Sequence, residues 1–368
     1  MRKGWEYKRW KEVLTIINGK NQSAVVDENG EYPIYGSGGI MGYANNWLCP
    51  GNCVIIGRKG NINKPIFVET KFWNVDTAFG LNANKEYLLP KFLYYFCLDY
   101  NFERHNKAVT IPSLTKADLL KIDIPLPPKS TQLAIVSELD KINELIRLKK
   151  EQLKDFDKLA QSIFYEMFGD PVENEKGWKV KMLGDLCTDI TDGDHMPPPK
   201  SEYGIPFITI SDIDKESRSL NFENTYYVPI DYYNKLKENR KARIGDLLYT
   251  VTGSYGIPVI VKTDKQFCFQ RHIALLRPNI EILSTIFLYY WMLNDGVKFM
   301  ADKVAKGIAQ KTVGLNSIRK FSCILPPLPL QHLFAQRIEQ IEHQKSEVQK
   351  AITDLETLLA SRMQYWFE

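Results

Sequence analysis

The chain has 368 residues, an apolar fraction of 44% and a net charge of +4, which together exclude a disordered polyelectrolyte. This length exceeds one ordinary domain, so we expect two globular domains with hydrophobic cores. No segment reaches the roughly 18 consecutive apolar residues of a membrane span, and the N-terminal residues lead into polar sequence. We therefore expect a cytoplasmic protein that makes no membrane contact.

The six cysteines are scattered along the chain and predict reduced, mostly buried thiols rather than a disulfide framework. Cys49 and Cys53 lack a second pair that would complete a zinc site, so we predict no metal centre. The excess of positive charge lies in residues 1–128 and 169–327. This distribution is compatible with nucleic-acid binding but is also common on solvated surfaces.

Residues 1–128 are predicted to form a first globular domain. Short β-branched runs at 53–56 and 65–68 lie between turns rich in Gly, Asn and Pro, which is typical of strands. A helix is predicted over 90–98. These elements indicate an α+β domain with a twisted sheet and irregular loops.

Residues 129–168 are predicted to form one long helix. The stretch contains no Pro or Gly, and its apolar residues follow the alternating three- and four-residue steps of a coiled coil. Lys149 is a polar interruption of this seam, and Gly169 with Pro171 is predicted to end the helix. The seam residues are Leu139, Ile142, Ile146, Leu153, Phe156, Ala160, Ile163 and Met167.

Residues 169–327 repeat the first domain. Gly177-Trp178 matches Gly4-Trp5, the run at 245–250 resembles that at 51–56, and 287–291 resembles 92–96. Strands are predicted at 247–251 and 258–261, and a helix at 282–293. The distance between matched segments grows along the chain, which indicates insertions in the loops of the second copy.

Residues 328–368 repeat the long helix, and Gln331 aligns with Gln132 in an unbroken register. Lys345 and Arg362 interrupt this second seam. With Lys149, they are interpreted as residues that specify register or extend a charged head to water, with subunit docking as the alternative. The second seam consists of Ile338, Ile341, Val348, Ile352, Leu355, Leu359 and Trp366.

The fold class predicted from this pattern is α+β. It comprises two globular mixed α/β domains, each followed by a long helix, and the two helices pair as an antiparallel coiled coil. The predicted boundaries are 1–128, 129–168, 169–327 and 328–368.

Several motifs resemble those of the specificity (S) subunit of type I restriction-modification systems. They are Asp192-Gly193-Asp194-His195-Met196-Pro197, Gly204-Ile205-Pro206-Phe207-Ile208, Gly245-Asp246-Leu247-Leu248 and Leu325-Pro326-Pro327 before a long helix. The first half repeats the pattern more loosely, with Asn18-Gly19-Lys20 in place of the acidic motif. The resemblance covers essentially the whole chain.

This resemblance implies that each globular domain is a target-recognition domain and that the helices are spacers. The expected partners are double-stranded DNA with two unlike half-sites and two modification (methyltransferase) subunits that carry S-adenosylmethionine. Two restriction subunits that use ATP and Mg²⁺ could join them. No cofactor is expected in this chain.

Candidate DNA-binding residues lie on exposed loops, where Lys and Arg suit phosphates and Arg, Lys, Asn, Gln or short hydroxyl side chains suit bases. The candidates in the first copy are Arg58, Lys59, Asn61, Lys64, Arg104, Lys107 and Thr110. Those in the second copy are Thr252, Ser254, Tyr255, Arg271, His272, Lys306, Gln310 and Lys311. An ordinary solvated residue remains the alternative at each position.

No catalytic residue is predicted. Glu69 and Lys71 lack the preceding Pro-Asp pair of a nuclease site, and the chain contains neither a phosphate loop nor an Asn-Pro-Pro-Tyr methylation motif. Asp189, Asp192, Asp194 and His195 are interpreted as part of a Gly-centred turn rather than a metal site. Two alternatives stay open: a stand-alone DNA-processing enzyme with an unrecognised active site, and a two-fold scaffold that does not bind DNA.

Overall fold

The computed structural model describes residues 5–106, 108, 110–194, 198–307 and 310–368. The chain divides into two compact units. Unit 1 comprises Met1–Glu151 with Gln349–Glu368, and unit 2 comprises Gln152–Val348. Each unit therefore contains one globular domain, the first part of the long helix that follows it, and the last part of the other long helix.

Unit 1 combines short strands and short helices with parts of the two long helices. Its strands are β1 (Glu6–Arg9), β2 (Leu14–Asn18), β3 (Tyr32–Gly36), β4 (Gly39–Ala44), β5 (Cys53–Gly57), β6 (Ile66–Val68), β7 (Trp73–Asn74), β8 (Ala78–Ala83) and β9 (Asp123–Leu126). Its helices are α1 (Trp10–Val13), α2 (Pro90–Asp99), α3 (Lys116–Leu119) and the start of α4 (Lys129–Phe168), with a 3₁₀ turn at Phe102–His105. The predicted strands at 53–56 and 65–68 and the helix at 90–98 are confirmed.

The strands of unit 1 form an antiparallel sheet in the order β2-β8-β5-β6 and a second sheet in the order β4-β3-β7. Side chains alternate across the first sheet. Val54 and Ile56 pack in the core that includes α2, whereas Ile55 packs with Cys49 and Phe72 on the other face. The sheet is therefore buried on both faces, which explains the continuous apolar run of β5.

Unit 2 repeats this architecture. Its strands are β10 (Lys179–Met182), β11 (Cys187–Asp192), β12 (Ile205–Ile208), β13 (Ile213–Asp214), β14 (Ser219–Leu220), β15 (Tyr226–Val228), β16 (Leu247–Thr250), β17 (Pro258–Ile260), β18 (Cys268–Phe269), β19 (Ile273–Pro278) and β20 (Ser322–Leu325). Its helices are α5 (Leu183–Leu186), α6 (Ile230–Lys235), α7 (Thr285–Met292), α8 (Asp295–Val304), α9 (Leu315–Arg319) and the start of α10 (Leu328–Phe367).

The sheet orders confirm the duplication. The orders β11-β19-β16-β17 and β15-β12-β18 correspond strand for strand to those of unit 1, and the pair β10-β20 corresponds to β1-β9. The helix predicted at 282–293 begins three residues later, at Thr285. Residues before it form a turn instead, in which the backbone amides of Ile282 and Leu283 donate to the carbonyl of Asn279.

The strand ladders correct one detail of the sequence alignment. Val54 pairs with Leu81 on β8, and Leu247 pairs with Leu276 on β19, so β16 aligns with β5 one residue earlier than the match of 245–250 with 51–56. Burial agrees, because Leu247 lies in the core beside α7 as Val54 does beside α2. The glycines of the two motifs are therefore not equivalent.

The predicted insertion in the second copy is confirmed between two of these strands. Only residues 37–38 join β3 to β4, whereas residues 209–225 join the equivalent strands β12 and β15. The longer connection contains a 3₁₀ turn at Ile210–Asp212 and the β13-β14 hairpin.

The long helices pair in antiparallel fashion within each unit. In unit 1, Glu138 near the start of α4 accepts hydrogen bonds from Arg362 and Trp366 near the end of α10. In unit 2, Lys345 forms an ion pair with Asp157 at 2.8 Å. The predicted helices and their antiparallel pairing are thus confirmed, and Lys345 and Arg362 form ion pairs across the seam. No helix in the described part of the chain is long and apolar enough to cross a membrane.

The α4 helix buries a wider face near its ends than the predicted seam. Phe164 and Phe168 are almost fully buried in unit 2, where both pack against Phe287 and Phe334. In unit 1, Ile135 joins the core beside α2. Gly169 ends the helix with a φ of +76°, as predicted.

Two equivalent glutamines attach the long helices to their domains. Gln132 is fully buried, accepts the backbone amide of Leu89 at 2.9 Å and donates to the carbonyls of Tyr87 and Pro127. Gln331 is also fully buried and repeats these bonds in unit 2. Its partners are the amide of Ser284 at 2.8 Å and the carbonyls of Ile282 and Pro326. Each glutamine thus joins the first turn of a long helix to the start of α2 or α7.

Replacing either glutamine by leucine should destabilise its own unit. The substitution removes three hydrogen bonds and leaves the carbonyl of Pro127 or of Pro326 buried without this partner, and an unsatisfied buried group costs about 1–3 kcal/mol. We expect a loss of at least about 2 kcal/mol in Gln132→Leu and in Gln331→Leu, measured by denaturant unfolding. Hydrogen exchange should locate the loss in unit 1 and unit 2 respectively. Gln340→Leu, at an exposed position on α10, is the control, and two variants as stable as this control would contradict the account.

The Glu138–Arg362 pair should make stability depend on pH. The hydrogen bond from Arg362 is the main cause that lowers the pKa of Glu138 below its ordinary value of 4.5. Because the folded-state pKa is depressed, this contribution is complete above about pH 4.5 and is lost as the pH falls through the folded value. The stability deficit of Arg362→Met, measured by urea unfolding, should therefore shrink between pH 6 and pH 3. A deficit that stays constant over that range would exclude this role.

Candidate nucleic-acid interface

In unit 2, a turn between β16 and β17 carries three of the predicted DNA-binding residues. The Thr250 hydroxyl donates to the carbonyl of Ser254 at 2.8 Å and accepts the amide of Ile257 at 3.0 Å. Gly253 and Gly256 adopt φ values of +69° and +95°, which favour glycine. The turn is thereby closed with Ser254 exposed at its tip.

A second segment of unit 2 pairs with this turn. Lys306 and Thr312 exchange backbone hydrogen bonds of 3.0 and 2.8 Å, and the amide of Gly253 donates to the carbonyl of Lys311 at 3.0 Å. Lys306, Gln310 and Lys311 are exposed. The fold therefore brings together two groups of candidates that lie about fifty residues apart in sequence.

Arg271 and His272 adjoin the same turn, because the carbonyl of His272 accepts the amide of Val251 at 2.9 Å. Arg271 is exposed and its Nε lies 3.4 Å from Nε2 of His272. Burial, followed by the charge of Arg271, lowers the pKa of His272 below 6.5. His272 is therefore less readily protonated than an unperturbed histidine.

Two candidates in unit 2 are already engaged within the protein. Thr252 is buried and its hydroxyl lies 3.2 Å from that of Thr312. The Tyr255 hydroxyl donates to Asp302 at 2.6 Å, and this bond raises the pKa of Tyr255. Both side chains support the turn, whereas Ser254, Arg271, Lys306, Gln310 and Lys311 are exposed to solvent.

Unit 1 forms the equivalent surface with the same backbone bonds. The amide of Gly60 donates to the carbonyl of Pro112 at 3.0 Å, and the amide of Leu114 donates to the backbone carbonyl of Arg58 at 2.9 Å. In unit 2 the corresponding bonds are Gly253 to Lys311 at 3.0 Å and Val313 to Val251 at 2.8 Å. We call the surface formed by residues 58–64 and 110–114 the unit 1 recognition surface. The unit 2 recognition surface is formed by residues 251–256, 271–272, 306–307 and 310–313.

The exposed side chains of the unit 1 recognition surface differ from those of unit 2. Arg58, Lys59, Asn61 and Lys64 lie on the loop after β5, and Thr110 lies on the facing segment. Arg104 lies in the 3₁₀ turn Phe102–His105, which is tied to this loop because the amide of Phe102 donates to Asn63. Lys107 lies outside the described residues.

The acidic motif of unit 2 and the corresponding Asn18-Gly19-Lys20 of unit 1 share one residue, a glycine. It is Gly193 in unit 2 and Gly19 in unit 1, and both positions lack space for a side chain. A Cβ atom on Gly193 would lie 1.9 Å from the carbonyl oxygen of Phe269, and one on Gly19 would lie 1.8 Å from that of Val75. Both glycines allow the end of a strand to pass close to another backbone. The acidic residues on either side of Gly193 form ion pairs instead. Arg240 lies 3.5 Å from Asp192 and 3.6 Å from Asp194. His195 lies outside the described residues.

Aspartates of the motifs in unit 2 form ion pairs with arginine, and the cysteines are mostly buried. In the described part of the chain, no group of three or more His, Cys, Asp or Glu side chains could hold a metal ion. Arg277 binds Asp246 at 2.8 Å and Asp189 at 3.1 Å, so the aspartate of the Gly245-Asp246 motif is structural. The cysteines are free thiols, and burial raises the pKa of Cys268 to about 12.

Residues near the recognition surfaces that the sequence did not suggest come from the loops of the smaller sheets. Lys215, on the β13-β14 hairpin, donates to the hydroxyl of Ser254 at 3.1 Å. In unit 1, the β3-β4 hairpin approaches Asn61 through Gly38 and Gly60 through Ser37. In the sequence, only the Gly-Ser-Gly-Gly run at 36–39 indicates this hairpin.

Comparison with known proteins assigns the chain to a family. A family model described as the type I restriction modification DNA specificity domain matches residues 2–155 and 175–357. The chain belongs to this family. Its role is therefore that of a specificity subunit, which serves DNA sequence recognition and is not an enzyme.

Individual relatives match this chain in sequence over most of its length. The EcoBI specificity subunit of Escherichia coli is 22% identical over 336 residues, covering 84% of this chain and 70% of that protein. The MjaVIII specificity subunit of Methanocaldococcus jannaschii is 22% identical over 392 residues, covering 96% and 92%. A chain solved in a study of assembly and conformational transition of the type I system shares the fold. Its TM-score is 0.62 at 19% identity, and the match covers 100% of this chain and 98% of that one.

Removing one exposed lysine should weaken DNA binding without changing sequence preference. If Lys311 contacts a phosphate, Lys311→Ala should lower affinity about equally for all duplexes and reduce the slope of log K against log salt by about 1. Binding would be measured by fluorescence anisotropy of the assembled complex at several salt concentrations. Lys179→Ala, an exposed lysine on β10, is the control. An unchanged salt slope in Lys311→Ala would rule out a phosphate contact.

Proposed function

We propose that this specificity subunit recognises a bipartite, asymmetric DNA site and recruits methyltransferase and restriction subunits to it. The observation that carries the proposal is the repeated backbone frame of the two recognition surfaces. Gly60 and Gly253 make the same backbone bond, yet the exposed residue that follows is Asn61 in unit 1 and Ser254 in unit 2. Equal frames with unlike side chains suit the reading of two unlike half-sites.

The chemistry of the exposed side chains supports contacts with both backbone and bases. Lys64, Lys306 and Lys311 suit phosphates, whereas Asn61 and Gln310 carry amides that can bond to an adenine edge in two places. Arg58 and Arg271 can serve either purpose, since arginine also binds guanine. These assignments to DNA remain predictions for every candidate.

The long helices would act as the spacer between the half-sites. Each contains 40 residues and is about 60 Å long at 1.5 Å per residue. Their seams are apolar with a few ion pairs, and the second seam is not a copy of the first, because Val348 aligns with Lys149. The pair is therefore an asymmetric spacer whose length, rather than its surface chemistry, would set the distance between half-sites.

Catalysis would reside in the partner subunits. Two methyltransferase subunits carrying S-adenosylmethionine would methylate an adenine in each half-site, with the target base flipped into the methyltransferase and its register fixed by this chain. Two restriction subunits would add ATP- and Mg²⁺-dependent cleavage. Purified chain should neither methylate nor cleave DNA alone but should support both with its partners. Activity of the isolated chain would instead favour a stand-alone DNA-processing enzyme.

A heptad insertion should change the spacer without changing the half-sites. Seven residues inserted after Glu151 in α4 and after Val348 in α10 preserve the seam and lengthen each helix by about 10 Å. This corresponds to about three base pairs at 3.4 Å each. Mapping of methylated adenines in cells that express the partners should show the original half-sites with a longer spacer. Insertion into α4 alone is the control and should disrupt pairing, while new half-site bases with the old spacer would refute the proposal.

A further inference from the structure

An open groove lies beside the edge strand β6 of unit 1. Among the described residues, β6 pairs with β5 on one side and has no strand on the other. We call this depression the β6 groove. Its walls come from β3, β6, α2 and α4, and its main lining residues are Tyr35, Ile66, Glu69, Lys91, Tyr94 and Asp140. None of them is a candidate for DNA binding.

The duplication provides a filled version of the same place in unit 2. Ile66 pairs with Ile55 and Val259 pairs with Leu248, so the ladders make Ile66 and Val259 equivalent. In unit 2 the β13-β14 hairpin lies against β17. Its residues Ile213 and Leu220 pack in one apolar cluster with Val259.

The hairpin also touches the counterparts of the other groove walls. Arg218, on the hairpin, lies close enough to Tyr289 to lower the pKa of that tyrosine against the larger, opposite effect of burial. Tyr289 corresponds to Tyr94, because Gln331 and Gln132 bind the equivalent starts of α7 and α2. The cluster around Ile213 further includes Ile208, the counterpart of Tyr35. The hairpin of unit 2 thus covers the equivalents of three walls of the β6 groove.

Among the described residues of unit 1, no segment occupies this position. Residues 37–38 form a turn too short to reach across the sheet edge, whereas the hairpin of unit 2 belongs to residues 209–225. The consequence is visible in burial. Val259 is 1% exposed beneath the hairpin, while Ile66 remains only half-buried.

We propose that the β6 groove binds an extended or hairpin segment of the methyltransferase subunit, which takes the place that residues 209–225 take in unit 2. Unpaired strand edges accept extended segments through backbone bonds, and neighbouring side-chain pockets select among them. The segment would place apolar side chains on Ile66 and Tyr35 and a guanidinium near Tyr94 and the exposed carboxylate of Glu69.

The assignment of the bound segment to the methyltransferase rests on the proposed function and on the position of the β6 groove beside α4. At Asp140 the groove meets a second depression on the outer face of α4, between Leu133 and Leu145. Both leucines are largely exposed, at 61% and 47%. The aligned residues of α10 are the polar His332 and Gln344. A subunit seated on this part of α4 would therefore have the β6 groove within reach of its chain.

Hydrogen exchange of the full chain with and without the methyltransferase subunit tests this proposal. The backbone amides of residues 65–70 should become protected on assembly. Ile66→Lys and Glu69→Arg should each weaken the affinity for the methyltransferase at least about tenfold. Val26→Lys, at an apolar position of unit 1 that is 55% exposed, should leave it within about twofold. Two independent groove variants keep the test valid if one of them fails to fold.

A synthetic peptide with the sequence of residues 209–225 provides a second readout. It should bind the full chain and compete with the methyltransferase, and its Arg218→Ala version should compete several-fold less well. Assembly with unchanged exchange at 65–70 and unchanged affinity of both variants would overturn the proposal. If no complex forms although DNA is still footprinted, recruitment itself fails and the groove assignment falls with it. If the complex forms without a footprint, only the DNA part of the proposed function fails.

Discussion

The structure depends on how each long helix leaves its globular domain, and one buried side chain determines this in each unit. Gln132 and Gln331 occupy the first turns of α4 and α10 and bind backbone groups at the start of α2 or α7 and just before the long helix. Each glutamine side chain is fully buried and satisfies one amide and two carbonyls. Because a shorter or apolar side chain cannot do so, the geometry between domain and helix is fixed by hydrogen bonds as well as by apolar packing.

Upon this shared attachment, the two units keep the same framework and vary their loops. The glycines at 60 and 253 preserve a backbone contact that aligns two distant segments, and the glycines at 19 and 193 preserve a close strand crossing. The loops that these contacts display are free to change because they bury little apolar surface. Duplication followed by loop divergence thus gives two recognition surfaces of unlike chemistry on one chain.

Much of this architecture was predictable from the sequence because it follows from periodic patterns. The heptad seams, the glycine after α4 and the duplicated strands all depend on local spacing. The burial of Phe164 and Phe168 was missed because the ends of α4 pack against a domain as well as against α10. The strand alignment slipped by one residue because β5 and β16 are buried on both faces and carry no alternation to fix the register.

The candidate site was predictable in its segments but not in its individual side chains. Loops rich in Gly and basic residues indicated the two surfaces, yet no pattern could reveal that Thr252 is buried against Thr312 or that Tyr255 is bound to Asp302. Lys215 was not predicted because it reaches Ser254 from a hairpin 39 residues away in sequence. Such contacts depend on tertiary placement that a single sequence does not determine.

Each unit is proposed to read one half of a split DNA site through its own exposed loop residues. Mapping of methylated adenines in cells that express the partner subunits with either the wild-type chain or the triple variant Ser254→Ala, Arg271→Ala, Gln310→Ala tests it most directly. With the triple variant, one half-site should become less specific while the other half-site and the spacer stay unchanged. Changes in both half-sites, or in neither, would contradict it.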